Sequence, residues 1–246
     1  RLGVEGLPQS GTGQTSIFCG VNASKIINQH FGPFPFSTLI PIIKEQNIFK
    51  YYINKNEKVF FANAYPKVFF DYLNSGKKRL SVTQVCVSSN SSTDKMTFNN
   101  VDDVINGNAL TPEITNHRWN EKLNYSLPLF DGKTAARKLL KISIENKLTV
   151  YEYFLTDHFG HGRIKDEMEF NLKILDDFLF TILSEYDKSS TSIVICSDHG
   201  NLENLSIKTH TLNPALTIVA GKNCEKFYEE VKDISQIKNG IINILG

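Results

Sequence analysis

The sequence is poor in the residues that mark several specialised protein classes. It has four cysteines, two methionines and one tryptophan among 246 residues. The cysteines form no CxxC pair, which argues against a zinc knuckle, and they lie too far apart to suggest a disulfide framework. We therefore expect reduced, mostly buried thiols of a cytoplasmic protein at four positions: Cys19, Cys86, Cys196 and Cys224.

The sequence also lacks an excess of charge and any long apolar run. The sequence has 27 Lys and Arg against 26 Asp and Glu. It therefore lacks the excess of positive charge that attracts proteins to nucleic acid or anionic lipid. No stretch reaches the roughly 18 consecutive apolar residues of a membrane span. We expect neither nucleic acid nor a membrane as a partner, and the oligomeric state is left open. Since the chain starts at Arg1 without a methionine or a leader, we treat Arg1 as an internal residue.

With 41% hydrophobic and 22% charged residues, the composition is that of an ordinary soluble domain, taken as one unit over 1–246. Short β-branched runs alternate with helical patterns. The nearly continuous apolar character of the runs favours parallel strands, hence an α/β fold with a mainly parallel sheet. The pattern predicts strands at 58–64, 148–155, 191–197 and 215–220, and helices at 13–19, 37–52, 131–146 (capped by Asp131), 164–186 and 235–245.

The segment 73–128 differs from the rest because it is rich in Ser, Asn, Asp and Lys. Its run Ser-Ser-Asn-Ser-Ser at 88–92 is typical of a flexible loop. We interpret the segment as a small insertion or lid on the sheet.

Three segments place metal-ligand residue types next to predicted strands. They are TDHFGH at 156–161, SDHGN at 197–201 and THTLNP at 209–214, and they hold four of the six histidines. The first two follow the carboxyl ends of their strands, where open α/β sheets place their sites. One Asp-His-Gly alone would usually be a turn, but the combination of three segments favours ligands. We do not expect His158 to bind the metal, because the spacing of Asp157 and His161 already offers two ligands to one ion.

The types of residue in these segments point to the metal. Mixed carboxylate and imidazole ligands suit zinc or manganese, and the ligands are too many for one tetrahedral ion with an open position. Two divalent ions are the economical interpretation.

A fourth segment, GLPQSGTGQT at 6–15, lies just before a helix-like run. It would place Ser10 near a helix N-terminus, where backbone N–H groups and the helix dipole favour an anion. A metal-bound serine so placed is a nucleophile for phosphoryl transfer. Taken alone, the segment would more simply be a helix cap.

The ordered combination of PQSGTGQ, TDHFGH, SDHGN and HTLNP resembles the alkaline phosphatase superfamily. Within it, the sequence is similar to the metalloenzyme domain shared by cofactor-independent phosphoglycerate mutase and phosphopentomutase, and closest to small proteins of that type without an assigned substrate. The resemblance implies a three-layer sandwich with a mainly parallel central sheet. It implies that Asp157, His161 and His210 hold one metal, and that Asp198, His199 and Ser10 hold the second. Thr12 is the alternative hydroxyl.

The resemblance implies a two-metal phosphatase or phosphomutase that acts on a small phosphate-containing substrate through a phosphoserine. A phosphodiesterase or sulfatase-like hydrolase, or a catalytically impaired metal-binding protein, are the alternatives. The family supplies a further Asp ligand from a strand well upstream of the nucleophile, so the second site is incomplete over 1–246. For the substrate, Arg163 is the best candidate ahead of Arg118 and the run Lys77-Lys78-Arg79, although scattered, solvated surface residues are the simpler explanation of such side chains.

Overall fold

The computed structural model describes residues 2–76, 79–93, 95–164 and 166–246. Three single turns of 3₁₀ helix, at Ser37–Leu39, Ser91–Thr93 and Ile234–Gln236, accompany the longer elements. In chain order the elements are α1 (Ser10–Cys19), α2 (Ala23–Ile27), α3 (Ile40–Gln46), α4 (Ile48–Asn54), β1 (Val59–Phe61), α5 (Lys67–Asn74), α6 (Val82–Asn90), α7 (Val101–Ile105), α8 (His117–Leu123), α9 (Gly132–Ile144), β2 (Leu148–Val150), α10 (Leu155–Gly160), α11 (Met168–Glu185), β3 (Ser192–Cys196), β4 (Thr217–Gly221), α12 (Cys224–Glu230) and α13 (Ile237–Leu245).

The first pair of strands is parallel, as the apolar runs predict. Val59 of β1 lies opposite Leu148 of β2, and Phe61 lies opposite Val150. The pairing continues past β1, where the Ala62 N–H donates to the Val150 carbonyl at 2.8 Å. The fold is therefore mixed α/β, and the parallel pair delivers the chain directly into α10.

The second pair of strands corrects the predicted sheet, because β4 runs antiparallel to β3. Ser192 lies opposite Gly221 and Cys196 opposite Thr217. A parallel return normally needs a crossover helix, whereas residues 197–216 contain no helix and fold back through a bridge between Gly200 and Thr211. An apolar run records burial but not direction. In the described part of the chain, each sheet has two strands, so the prediction of a mainly parallel sheet is wrong for this half.

One of the helices that support the sheets, α9, begins where its predicted cap lies. Asp131 accepts the Thr134 N–H at 2.7 Å and starts α9. A Cβ on Gly132 would lie 2.4 Å from the Ile174 carbonyl oxygen of α11, so the absent side chain lets the two helices meet closely. Ala135 of α9 and Phe178 of α11 share one buried cluster, and Tyr151, the residue that follows β2, packs against it. The predicted helix at 164–186 is confirmed with the shorter bounds of α11.

The Ser- and Asn-rich run at 88–92 is not the predicted flexible loop, because α6 extends to Asn90 and a 3₁₀ turn follows. Ser81 and Gln84 form a reciprocal capping box that starts α6. Val82, Val85 and Cys86 then lie on one face and pack into the main core. The Ser89 hydroxyl donates to the Cys86 carbonyl at 2.9 Å, so the polar residues bond within the helix. The interpretation of 73–128 as an insertion or lid stays a prediction.

The largest buried cluster joins the first half of the chain to the parallel strands. It includes Leu39, Phe49, Phe61 and Cys86. All four cysteines are free; Cys19 and Cys86 are buried, while Cys196 is exposed at the end of β3. Over the ranges that the structure describes, no helix combines the length and apolar character needed to cross a membrane.

Candidate metal centre and nucleophile

Three predicted ligands, Asp157, His161 and His210, come together at one point. One ligand atom from each lies within 4.8 Å of the others. Asp157 and His161 are one helical turn apart at α10, and Asp157 Oδ1 lies 3.2 Å from His161 Nε2. His210 comes from the connection between β3 and β4, and its Nε2 lies 3.6 Å from the same oxygen. The second parallel strand and the antiparallel return thus bring a mixed carboxylate and imidazole group together.

The two imidazoles in this group have their outer nitrogens occupied. His161 Nδ1 is 2.9 Å from the Lys208 carbonyl oxygen, and His210 Nδ1 is 2.6 Å from that of Pro8. Since carbonyls only accept, both Nδ1 atoms donate, which leaves Nε2 of each ring as the nitrogen that can bind a metal once it carries no proton. These two Nε2 atoms lie only 3.1 Å apart. Two nitrogens this close need a proton or a metal ion between them, and together with Asp157 they form a donor set that fits a divalent metal.

The carboxylate of Asp157 is held in its charged form. Burial raises the pKa of Asp157, but the neighbouring His210, His161 and His199 side chains outweigh burial and lower the pKa to about 2. Asn201 donates from Nδ2 to Asp157 Oδ1 at 2.9 Å. The Asn201 amide occupies the space that a Cβ on Gly160 would fill, so this glycine is required for the contact. A charged, oriented carboxylate is the form that binds metal.

Ser10 lies beside this group, at the first residue of α1. Its Oγ lies 2.9 Å from Nε2 of His199. The His199 ring in turn stacks on the His210 ring with centroids 3.6 Å apart. Burial lowers the pKa of His199, which favours the neutral ring with a lone pair available. The alternative hydroxyl, Thr12, is buried and donates to the Gln9 carbonyl at 3.0 Å. Its proton is therefore used in a hydrogen bond at the start of α1.

Asp198 is placed by close packing against α1. A Cβ on Gly13 would lie 2.7 Å from the Asp198 carbonyl oxygen and 3.1 Å from its Cβ. Asp198 Oδ2 lies 3.6 Å from Nε2 of His199. Ser10, Asp198 and His199 therefore meet at one end of α1. Among the residues that the structure describes, only the Asp157 group brings three carboxylate, imidazole or thiolate ligands together.

Glu203 has a positioning role that the sequence analysis missed. Its carboxylate accepts from the Asn201 N–H at 2.7 Å, from Asn213 Nδ2 at 3.0 Å and from the Thr211 hydroxyl. These bonds fasten the two arms of the connection between β3 and β4, which carry Asn201 and His210. Its place two residues after the SDHGN segment was the available signal, but a lone Glu in a loop has no distinctive spacing.

A second missed carboxyl, Glu152, follows β2 and is half-buried. Its backbone exchanges hydrogen bonds with the Asn63 side chain at 2.7 and 2.8 Å, and its carboxyl accepts from the Thr83 hydroxyl. Burial raises the pKa of Glu152 to about 7, and the charge of Asp198 adds to the rise although the Thr83 hydrogen bond opposes it. This carboxyl is therefore electrostatically coupled to the Ser10 side of the site.

The basic side chains that are candidates for substrate binding lie in different surroundings. Arg163 lies beside the metal group, with Nη1 3.7 Å from Asp157 Oδ2. Arg118 is paired with Glu167 at 3.0 Å, and Arg79 lies over the Phe34 ring. Lys77 and Lys78 lie outside the described residues. His158 is half-buried in α10 and is not part of the three-ligand group.

A comparison with protein families decides the relationship of the chain. The model of the metalloenzyme superfamily matches residues 62–246, three quarters of the sequence. The chain belongs to the metalloenzyme superfamily. This superfamily is alkaline-phosphatase-like and includes the phosphoglycerate mutase families, so the predicted relationship is confirmed. Membership indicates a metal-dependent enzyme and, with the Asp157 group, a divalent metal. The match starts after Ser10, and no curated protein and no solved structure matches the chain.

Proposed function

We propose that the protein is a metal-dependent phosphoryl-transfer enzyme, of phosphatase or phosphomutase type, that uses Ser10 as its nucleophile. The observation that carries the proposal is the position of Ser10 Oγ, 2.9 Å from His199 Nε2, which itself stacks on His210 of the metal-ligand group. A hydroxyl at a helix start beside such ligands suits attack on phosphorus. The proposal includes the three-layer sandwich that the family resemblance implies.

The side chains have separate roles in this proposal. Asp157, His161 and His210 would hold one divalent ion, zinc or manganese by their chemistry. Asp198, His199 and Ser10 would belong to a second. When bound, the cations supply positive charge that stabilises the attacking hydroxyl and the phosphate oxygens. Arg163, exposed beside Asp157, would bind a remaining phosphate oxygen by its guanidinium.

The reaction begins with in-line attack of Ser10 Oγ on the phosphorus of a phosphomonoester. The Oγ–P bond forms while the bond from phosphorus to the substrate's alcohol oxygen breaks. The Ser10 proton leaves to solvent, and the departing alcohol oxygen takes a proton from water. The phosphoserine then gives its phosphoryl group to water in a phosphatase, or to another hydroxyl in a mutase.

The test compares wild type with Ser10→Ala, each loaded with zinc or manganese. We expect Ser10→Ala to lose turnover of p-nitrophenyl phosphate while its metal content, measured by elemental analysis, is retained at the Asp157 group. Ser37→Ala, at an exposed serine on a 3₁₀ turn, is the matched control and retains turnover. Unchanged turnover in Ser10→Ala would remove Ser10 from the mechanism. Faster cleavage of bis(p-nitrophenyl) phosphate than of the monoester would favour a phosphodiesterase.

A further inference from the structure

A surface cavity of about 420 Å³ opens beside the start of α1. Its lining includes Gln9, the residue before Ser10, and Gly32. A Cβ on Gly32 would lie 3.0 Å from the Ser10 backbone nitrogen and 3.2 Å from that of Gly11. Two lining residues therefore adjoin the candidate nucleophile: Gln9 precedes Ser10 in the chain, and Gly32 packs against the backbone at the start of α1.

The loop that borders this cavity also borders the metal-ligand group. Leu7 and Gln9 line the cavity, while the carbonyl of Pro8 between them accepts from His210 Nδ1 at 2.6 Å. The loop 7–9 thus lies between the metal-ligand group and the cavity. A substrate that extends from Ser10 past Gln9 would enter this cavity.

The cavity lining is rich in hydroxyl-binding groups. Glu5 offers a carboxylate, and Gln9 and Gln29 offer amides that both donate and accept. Leu7 and Phe31 add apolar surface for the carbon atoms of a ligand. This mixture suits an uncharged chain or ring that carries several hydroxyls.

The cavity lining is unsuited to a second anionic group. None of the described residues that line the cavity is a lysine or arginine. The ring nitrogens of His30 are already engaged, at 3.1 Å from Ser24 Oγ and 3.2 Å from the Val4 carbonyl oxygen. By contrast, Arg163 lies at the Asp157 end of the site. A carboxylate in the cavity would face Glu5 without a compensating positive charge, which disfavours binding.

We propose that this cavity binds the uncharged, hydroxylated part of a phosphomonoester and discriminates against substrates with a second anionic group. The inference rests on the proposed function and narrows its substrate class to phosphates of neutral polyhydroxyl compounds. Glu5 is the specificity-determining residue, because it both accepts from hydroxyls and repels carboxylates.

The test uses two ligands that differ only at the far carbon, which is a hydroxymethyl group in glycerol 3-phosphate and a carboxylate in 3-phosphoglycerate. Binding of each to the zinc-loaded Ser10→Ala variant is measured by calorimetry at fixed ionic strength. We expect glycerol 3-phosphate to bind about tenfold more tightly. Adding Glu5→Gln should reduce this preference several-fold, whereas Glu145→Gln, at an exposed carboxylate that ends α9, should leave it unchanged.

Equal or tighter binding of 3-phosphoglycerate would overturn the inference, and so would a preference that Glu5→Gln does not change. Because this readout is binding, it is independent of turnover. Loss of p-nitrophenyl phosphate hydrolysis in Ser10→Ala tests the proposed function separately. A protein that prefers glycerol 3-phosphate but turns over no monoester would support the cavity assignment and contradict the reaction.

Discussion

The two sides of the candidate site differ in how their ligands are held. On the Asp157 side, three ligand atoms converge, and carbonyls from distant segments fix both imidazoles. On the Ser10 side, the hydrogen bonds that His199 forms among the described residues go to its neighbour's carbonyl, Gly200 O at 3.3 Å, and to the Ser10 hydroxyl. Hydrogen bonds from distant segments therefore fix the imidazoles of the Asp157 side, whereas the geometry of the Ser10 side depends on the packing of α1 against Asp198.

This difference separates metal binding from the placement of the nucleophile. Anchored imidazoles lose little freedom when a metal binds, which strengthens binding. A serine at a helix start moves whenever the helix moves, so its reactivity depends on contacts such as Gly13 with Asp198. Substitutions on the two sides should consequently change different measurements.

The largest effect is expected for His210→Ala. This change removes a ligand of the Asp157 group and leaves His161 without its facing nitrogen. Since loss of an outer partner alone costs about 10- to 100-fold in metal affinity, we expect the loss here to exceed about 100-fold. Zinc affinity is measured by competition with a chelator. His158→Ala removes a neighbouring imidazole outside the group and is the control; equal losses in both variants would contradict the assignment.

Gly13→Ala should have the next largest effect, on turnover and not on metal content. The added Cβ would lie 2.7 Å from the Asp198 carbonyl oxygen, so α1 and Ser10 must shift. A displacement of about 1 Å at a reacting group can cost about 100-fold, and we expect a loss of turnover of about 10- to 100-fold. Zinc at the Asp157 group should be retained. Turnover close to wild type would show that the nucleophile is not positioned by this contact.

The sequence supports prediction of the ligands better than of the geometry that holds them. Asp157, His161, His199 and His210 are visible because rare residue types recur next to apolar runs. Glu203 was missed because its role depends on three partners that meet only after the connection between β3 and β4 folds back.

The fold shows the same limit. The positions of β3 and β4 follow from apolar runs, and the start of α9 follows from its Asp131 cap. The antiparallel direction of β4 follows from a helix-free connection, which local periodicity does not record. The helical 82–90 segment was missed because its buried face at Val82, Val85 and Cys86 lies among serines that favour turns.

Glu203→Gln should have a smaller effect, confined to the Asp157 side. The substitution keeps the size of the side chain but removes the charge that accepts from Asn201, Thr211 and Asn213. Because these bonds orient the arms that carry Asn201 and His210, we expect about a tenfold loss in zinc affinity. Glu145→Gln serves as the control for the change in charge. An unchanged affinity would mean that the connection is held by its backbone bridge alone.

The smallest expected effect is a difference between the Asp157 side and the Ser10 side in the pH at which their histidines, His210 and His199, gain a proton. Burial lowers the pKa of His210, but the neighbouring Asp157 carboxylate and the hydrogen bond to the Pro8 carbonyl raise the pKa above its usual value. Burial lowers the pKa of His199. A proton on a ligand must leave before metal binds, so zinc affinity should fall as pH drops through the raised pKa of His210.

His199 remains neutral to lower pH than His210, so its proton should begin to compete only after zinc affinity has already weakened. Zinc affinity measured by chelator competition between about pH 5.5 and 8.5 should therefore decline a few-fold before His199 titrates. The titration of each imidazole is followed by NMR of the metal-free protein, with His158→Ala used to assign the neighbouring signal. If His199 gains its proton at a higher pH than His210, the two sides of the site do not differ in the way their contacts indicate.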